Sequence, residues 1–133
     1  MALGMTAVLG LLLMKASLLA LSGNQWITLQ TLTDSYLTKE TALAKRTPLA
    51  DITAAVSPWP DGTQTLPQTS TVVTLGKLPG GIAVTGRLTR FRINATAGED
   101  TVAALTMWRL HSLLLYRIGE QDYVKNISIL RVQ

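Results

Sequence analysis

Few side chains in this chain are suited to chemistry. His111 is the single histidine, and it sits in "RLHSLLL", where polar and apolar residues alternate as along a half-buried strand. That pattern assigns it a structural or surface place rather than the role of a general base. There are no cysteines, which removes disulfides, thiolate zinc sites and cysteine nucleophiles. No serine, aspartate and histidine stand at a motif-like spacing. "LGKLPGG" is too short to cradle phosphate and lacks a hydroxyl after its lysine. Glu99-Asp100, and Glu120 with Asp122, fall among turn residues. Calcium would use such carboxylates, but ordinary turn polarity accounts for them without a ligand. The expectation is a protein that is not an enzyme, with no catalytic residue, metal or cofactor.

The formal net charge is +4, with a basic excess in the second half at Arg87, Arg90, Arg92, Arg109, Arg117, Lys125 and Arg131. Arg87, Arg90 and Arg92 are candidates for a surface basic patch that could meet DNA or another acidic surface, with a solvated strand face as the plainer reading. Three tyrosines and one phenylalanine make poor stacking platforms, so nucleic acid has little support as a partner. Asn94 ("NAT") and Asn126 ("NIS") match glycosylation sequons, a pattern short enough to arise by chance.

The elements that must position these groups begin with an apolar run. Residues 1–21, "MALGMTAVLGLLLMKASLLAL", carry one charge, Lys15, and approach the ~20 residues that cross a bilayer as a helix. Three readings stand. A cleaved secretory signal would use the small residues of "ALSG", but no basic region precedes the run and Lys15 interrupts it. A simple membrane anchor would bear the cost of Lys15, about 2.5–3.5 kcal/mol at mid-helix. That cost falls if the lysine stem snorkels. Leu9, Leu11, Leu12, Leu13, Leu18 and Leu19 would offset it. The third reading follows the pattern onward. From Trp26 to Arg46 there is no proline, and Trp26, Leu29, Leu32, Tyr36 and Leu43 recur at helical spacings, marking the face that packs on a sheet. Thr28, Thr31, Asp34, Lys39 and Glu40 are assigned to the polar remainder. Pro48 ends the helix. One helix of about 46 residues, near 70 Å, would then be apolar in segment 1–23 and amphipathic in segment 24–46, with Gly23-Asn24 the expected kink.

Residues 47–70 hold four of the five prolines and read as a connecting loop with at most a short helical turn at Leu49 to Val56. Trp59, held between prolines in "SPWPDG", is expected to anchor that loop to the core. Segment 71–133 reads as an antiparallel sheet of three to four strands: 71–75, 82–93, 101–117 and 123–133. Turns are expected at "KLPGG", "NATAGED" and "IGEQDY". Val102, Ala104, Trp108, Leu110, Leu114 and Tyr116 would share one face of the third strand. The fold class is α+β, a long helix packed on a small antiparallel sheet.

This arrangement resembles the type IV pilins and pseudopilins. The run "MALGMTAVLGLLLMKASLLAL" is similar to the stretch that follows the processing site of prepilins. "YLTKETALAKRTPLADI", "SPWP", "LPGG", "AVTG", "LTR" and "RI", with "YVK" and "RVQ", look like the body of pilin-like proteins of the Planctomycetes and Verrucomicrobia group. The glutamate expected near a mature pilin N-terminus has no counterpart here, and Met5 cannot replace it. The expectation is therefore that the processed end lies several residues upstream of Met1; a subunit that dispenses with the carboxylate is the other option.

The resemblance implies a structural subunit of a type IV pilus-like or type II secretion pseudopilus-like filament. It would sit in the inner membrane before assembly, and in a cell-surface or periplasmic filament afterwards. Its partners would be copies of itself and the assembly machinery, with Lys15 a candidate for an ion pair between subunits. The alternative is a membrane-anchored or secreted small β domain that acts as a binding module.

Overall fold

The computed structural model describes residues 2–62, 70–96 and 106–132. Helix α1 runs unbroken over Ala2–Arg46, and a short helix α2 over Leu49–Thr53 follows. The strands are β1 (Ser70–Lys77), β2 (Ala83–Asn94), β3 (Met107–Ile118) and β4 (Gln121–Val132). They form one antiparallel four-stranded sheet in the order β1-β2-β3-β4, each strand pairing with its sequence neighbour. This is the α+β architecture anticipated from the periodicities. Val102, Ala104, Glu99 and Asp100 lie outside the described residues.

Two turns close the same end of the sheet. The β3–β4 turn is only Gly119-Glu120, since Ile118 already pairs with Gln121. Gly119 takes φ 62°, a left-handed conformation that glycine adopts without penalty and that a two-residue hairpin demands. The expected turn was longer because the polar residues Gln121 and Asp122 read as loop; in the fold they are the first rungs of β4. The β1–β2 turn, Leu78 to Ile82, uses Gly80 at φ 96° and Gly81 at φ 82°. It is closed by Leu78 N–H donating to Ile82 O.

Helix α1 lies across the sheet with only its C-terminal half. Leu29, Thr33, Leu37, Glu40 and Ala44 are the buried line, at spacings of four, four, three and four residues that keep them on one helical stripe. Leu32, Tyr36 and Leu43 flank it, half-buried. Trp26 stands at its upper margin, 39% exposed. The polar assignment of Glu40 is corrected: its residue is 1% exposed, because an arginine on β2 supplies the counter-charge that burial requires.

On the sheet, the side facing α1 carries Val84, Leu88, Leu110, Leu114 and Tyr116, all buried. Two clusters result. Leu37, Leu114 and Tyr116 pack with Tyr36, Val73, Leu75 and Ile127. Ala44, Ile52, Trp59 and Leu110 pack with Leu43, Leu49 and Ile129. Each fully buried leucine of this kind contributes about 1.5–3 kcal/mol. Trp59 is completely buried and its Nε1 donates to Ser112 Oγ at 3.3 Å, so the proline-rich loop is anchored on the sheet. Beyond it, Pro60 and Gly62 hydrogen-bond to the backbone of Arg92, occupying the edge of β2 that β1 leaves free.

Candidate functional site

The N-terminal half of α1 is where the fold departs from an ordinary soluble domain. Every residue from Gly4 to Ile27 is exposed. Leu9, Leu11, Leu12, Leu13, Leu18 and Leu19 lie between 58% and 72% exposed. At 100° per residue, the consecutive leucines at 11, 12 and 13 with Leu9, Leu18 and Leu19 leave no polar side on this segment. It contains an apolar stretch long enough to cross a membrane, with none of that stretch buried inside the fold. Such a helix fits a membrane anchor or a signal sequence.

At and just beyond its lower end, hydroxyls bond back to the helix. Ser22 Oγ donates to Leu19 O, Thr28 Oγ1 to Asn24 O and Thr31 Oγ1 to Ile27 O. These bonds return hydroxyls to the helix's own carbonyls, as Thr38, Thr41 and Thr47 do in the sheet-packed half. Lys15 is exposed and lines a shallow groove with Leu18, Leu19 and Ser22.

Below this segment, cations hold the helix to the sheet. Arg90 on β2 grips the Glu40 carboxylate with two parallel bonds, Nε to Oε2 at 2.7 Å and Nη2 to Oε1 at 2.6 Å, the fork geometry that arginine matches best. Its guanidinium also lies 5.4 Å from the Trp59 ring centroid. The bond to Glu40, above all, pushes the Arg90 pKa up against the opposing effect of burial. Burial, followed by the Glu40 charge, raises the Tyr36 hydroxyl pKa, while Arg90 acts against both. On β4, Lys125 Nζ donates to Thr33 Oγ1 at 2.8 Å and to Asp34 Oδ1 at 2.6 Å. Arg131 donates to the carbonyls of Ala44 and Lys45, capping acceptors that the last turn of a helix leaves unsatisfied.

Arg92 is 9% exposed. Its guanidinium donates to the carbonyls of Ile52, Thr53, Ala54 and Trp59, binding α2 and the proline-rich loop together. Arg90 and Arg92 thus face the helix side of the sheet while Arg87 is exposed on the opposite face, so these three residues do not assemble one surface patch. Alternation is the reason: residues 88, 90 and 92 share a face and residue 87 cannot.

On the outer face, His111 stacks on Phe91 with ring centroids 4.8 Å apart and planes 15° apart. Burial, followed by the charge of Arg109, lowers the imidazole pKa. Among the described residues, no group of three or more histidines and carboxylates is placed to hold a metal ion.

The sequence reading missed Glu40, Thr33 and Ala44 as helix-packing residues, and Arg92 and Arg131 as carbonyl binders. A signal existed for the arginines. Arg92 has the parity of Leu88, and Arg131 that of Ile127 and Ile129, which assigns both to the inner face. Comparison with protein-family models, curated proteins and solved structures yields no match to this chain.

Proposed function

We propose that this chain is the subunit of a pilin-like filament, of type IV pilus or type II secretion pseudopilus kind. The observation that supports it is the single helix whose N-terminal half is apolar on every side and uncovered, while its C-terminal half is packed on a small sheet. In this reading the uncovered half sits in the inner membrane, then leaves lipid as helices of successive subunits bundle in a filament core. Close helix packing replaces lipid contact. A head-to-tail contact that does not close on itself extends the assembly into a helical filament. The sheet stays outside as a head on the cell surface or in the periplasm, and the subunit has no catalysis of its own. Its partners are copies of itself and the machinery that extracts it from the membrane.

Lys15 is the one charge in the apolar segment, and in the filament core it meets a neighbouring subunit's carboxylate. Normal assembly of a Lys15→Met variant would remove that pairing from the proposal.

The test is electron microscopy of negatively stained, detergent-free preparations, with intact-mass measurement of the native N-terminus. Thin filaments containing this chain, and an N-methylated end cut by a prepilin peptidase, are the expected results. Monomers at every concentration, with a signal-peptidase cut after Ser22, would overturn the proposal in favour of a secreted binding module.

A further inference from the structure

Helix α1 leaves the sheet between the two hairpin turns, and both turns carry side chains suited to a lipid surface. On one side, Leu78, Pro79 and Ile82 of the β1–β2 turn line a cleft with Leu21, Asn24, Gln25 and Thr28 of α1. Ile82 is 65% exposed, and Pro79, Gly80 and Gly81 beside it are exposed as well. On the other side, at the start of β4, the Trp26 ring meets Tyr123 edge-on at 5.3 Å. Tyr123 in turn stacks on Tyr116 at 5.8 Å. Ile27, beside Trp26, is 64% exposed.

The level of these groups along the helix matters most. A hydrocarbon core of about 30 Å takes up about 20 residues of helix at 1.5 Å each. If that stretch ends near Leu21, the apolar turn comes level with the boundary where hydrocarbon gives way to headgroups. Trp26 lies about one and a half turns above it, within the headgroup layer. Tryptophan and tyrosine favour that layer because their rings are apolar on one side and polar at the tip. Proline and glycine are ordinary turn residues; what distinguishes this turn is Ile82, a large apolar side chain left exposed beside the helix.

We propose that the hairpin end of the sheet is a second membrane contact. The Leu78–Ile82 turn inserts at the hydrocarbon boundary of the bilayer that α1 spans, and Trp26 with Tyr123 anchors the opposite side in the headgroups. The head is thereby held against the membrane rather than swinging on a free helix. This contact has to break when a subunit leaves lipid. The proposal rests on the membrane insertion of α1, but not on filament formation.

The chain has no cysteines, so single thiols introduced into the full-length protein report unambiguously. Leu12→Cys, Ile82→Cys, Pro79→Cys and Val56→Cys variants would be labelled with the fluorophore NBD. They would then be reconstituted in vesicles of phosphatidylethanolamine and phosphatidylglycerol that carry spin-labelled acyl chains. Val56 is 95% exposed and follows α2, at the opposite end of the sheet. The expected result is a blue-shifted emission and several-fold stronger quenching at positions 12, 79 and 82 than at 56. Quenching at position 12 with water-like emission at both 79 and 82 would overturn this inference and leave the membrane helix standing. Water-like emission at position 12 as well would overturn both.

Discussion

From Gly4 to Ile27 helix α1 is exposed along its whole circumference, whereas from Thr28 to Arg46 one stripe of side chains is covered by the sheet. The two halves share one backbone and one element, yet they answer to different surroundings. The lower half is specified by directional contacts: Arg90 on Glu40, Lys125 on Asp34 and Arg131 on the last carbonyls. The leucines of the upper half, Leu9, Leu11, Leu12, Leu13, Leu18 and Leu19, are all exposed, so whatever covers them must be supplied from outside. A specific interface of charges and aromatic rings orders the head, and in the proposed filament the apolar half would exchange lipid for like helices with Lys15 as its one charge to re-pair. Separating the two kinds of contact along one helix lets one half change surroundings while the other stays folded.

The strongest way to break that comparison is Leu12→Asp. A carboxylate at the middle of the apolar half costs about 2.5–3.5 kcal/mol of insertion. Vesicle flotation and filament formation should both be lost while the melting of the head is unchanged. A matching loss of head stability would show that the halves are not separate. Removal of residues 1–23 should likewise leave a soluble, folded head, as judged by circular dichroism.

The complementary change is Glu40→Ala. It leaves Arg90, which keeps some access to water, without its carboxylate and should destabilise the head by about 1.5–3 kcal/mol in urea denaturation, with membrane insertion unaltered. A Glu40→Met, Arg90→Met double variant should recover much of that loss, since an apolar pair carries no desolvation cost. A smaller effect is expected from Ser112→Ala, which takes the acceptor from the buried Trp59 N–H and should cost about 1–2 kcal/mol.

The smallest effect concerns pH. The folded state holds the His111 pKa below its ordinary value, chiefly through burial, so the unfolded chain binds that proton more readily. The resulting contribution to stability is complete above the ordinary imidazole pKa. It declines as pH falls through that value towards the lowered folded one. The decline should be slight for a ring only partly withdrawn from solvent. It should vanish in a His111→Gln variant followed by thermal melting between neutral and mildly acidic pH, and assembly should not respond to that substitution.

Much of the architecture was legible because it rests on local rules. Pro48 halts α1, alternation marks β2 and β3, and glycines 80, 81 and 119 permit the turns. The buried stripe of α1 was legible at Leu29, which is buried, and otherwise at its margins. Trp26, Leu32, Tyr36 and Leu43 are larger hydrophobic residues of that segment, but Thr33, Glu40 and Ala44 are the most deeply buried, all at or below 1% exposed. Small and paired polar residues can be buried as fully as leucine when their polar atoms find partners, and hydropathy is blind to that. The basic residues were misjudged for a related reason: charge was read as surface, although Arg92 and Arg131 spend theirs on backbone carbonyls.

By itself the sequence determined that one helix would be apolar at one end and amphipathic at the other, and that the remainder would be a small antiparallel sheet. Periodicity and proline placement are properties of neighbouring residues, so they need no knowledge of the fold. Only the tertiary structure decided that Arg90 finds Glu40 across 50 residues of chain. Only it placed the apolar β1–β2 turn and the Trp26–Tyr123 pair on either side of the emerging helix. Those juxtapositions arise from strand order and hairpin direction, which bring distant residues level along α1, and no local pattern encodes that level.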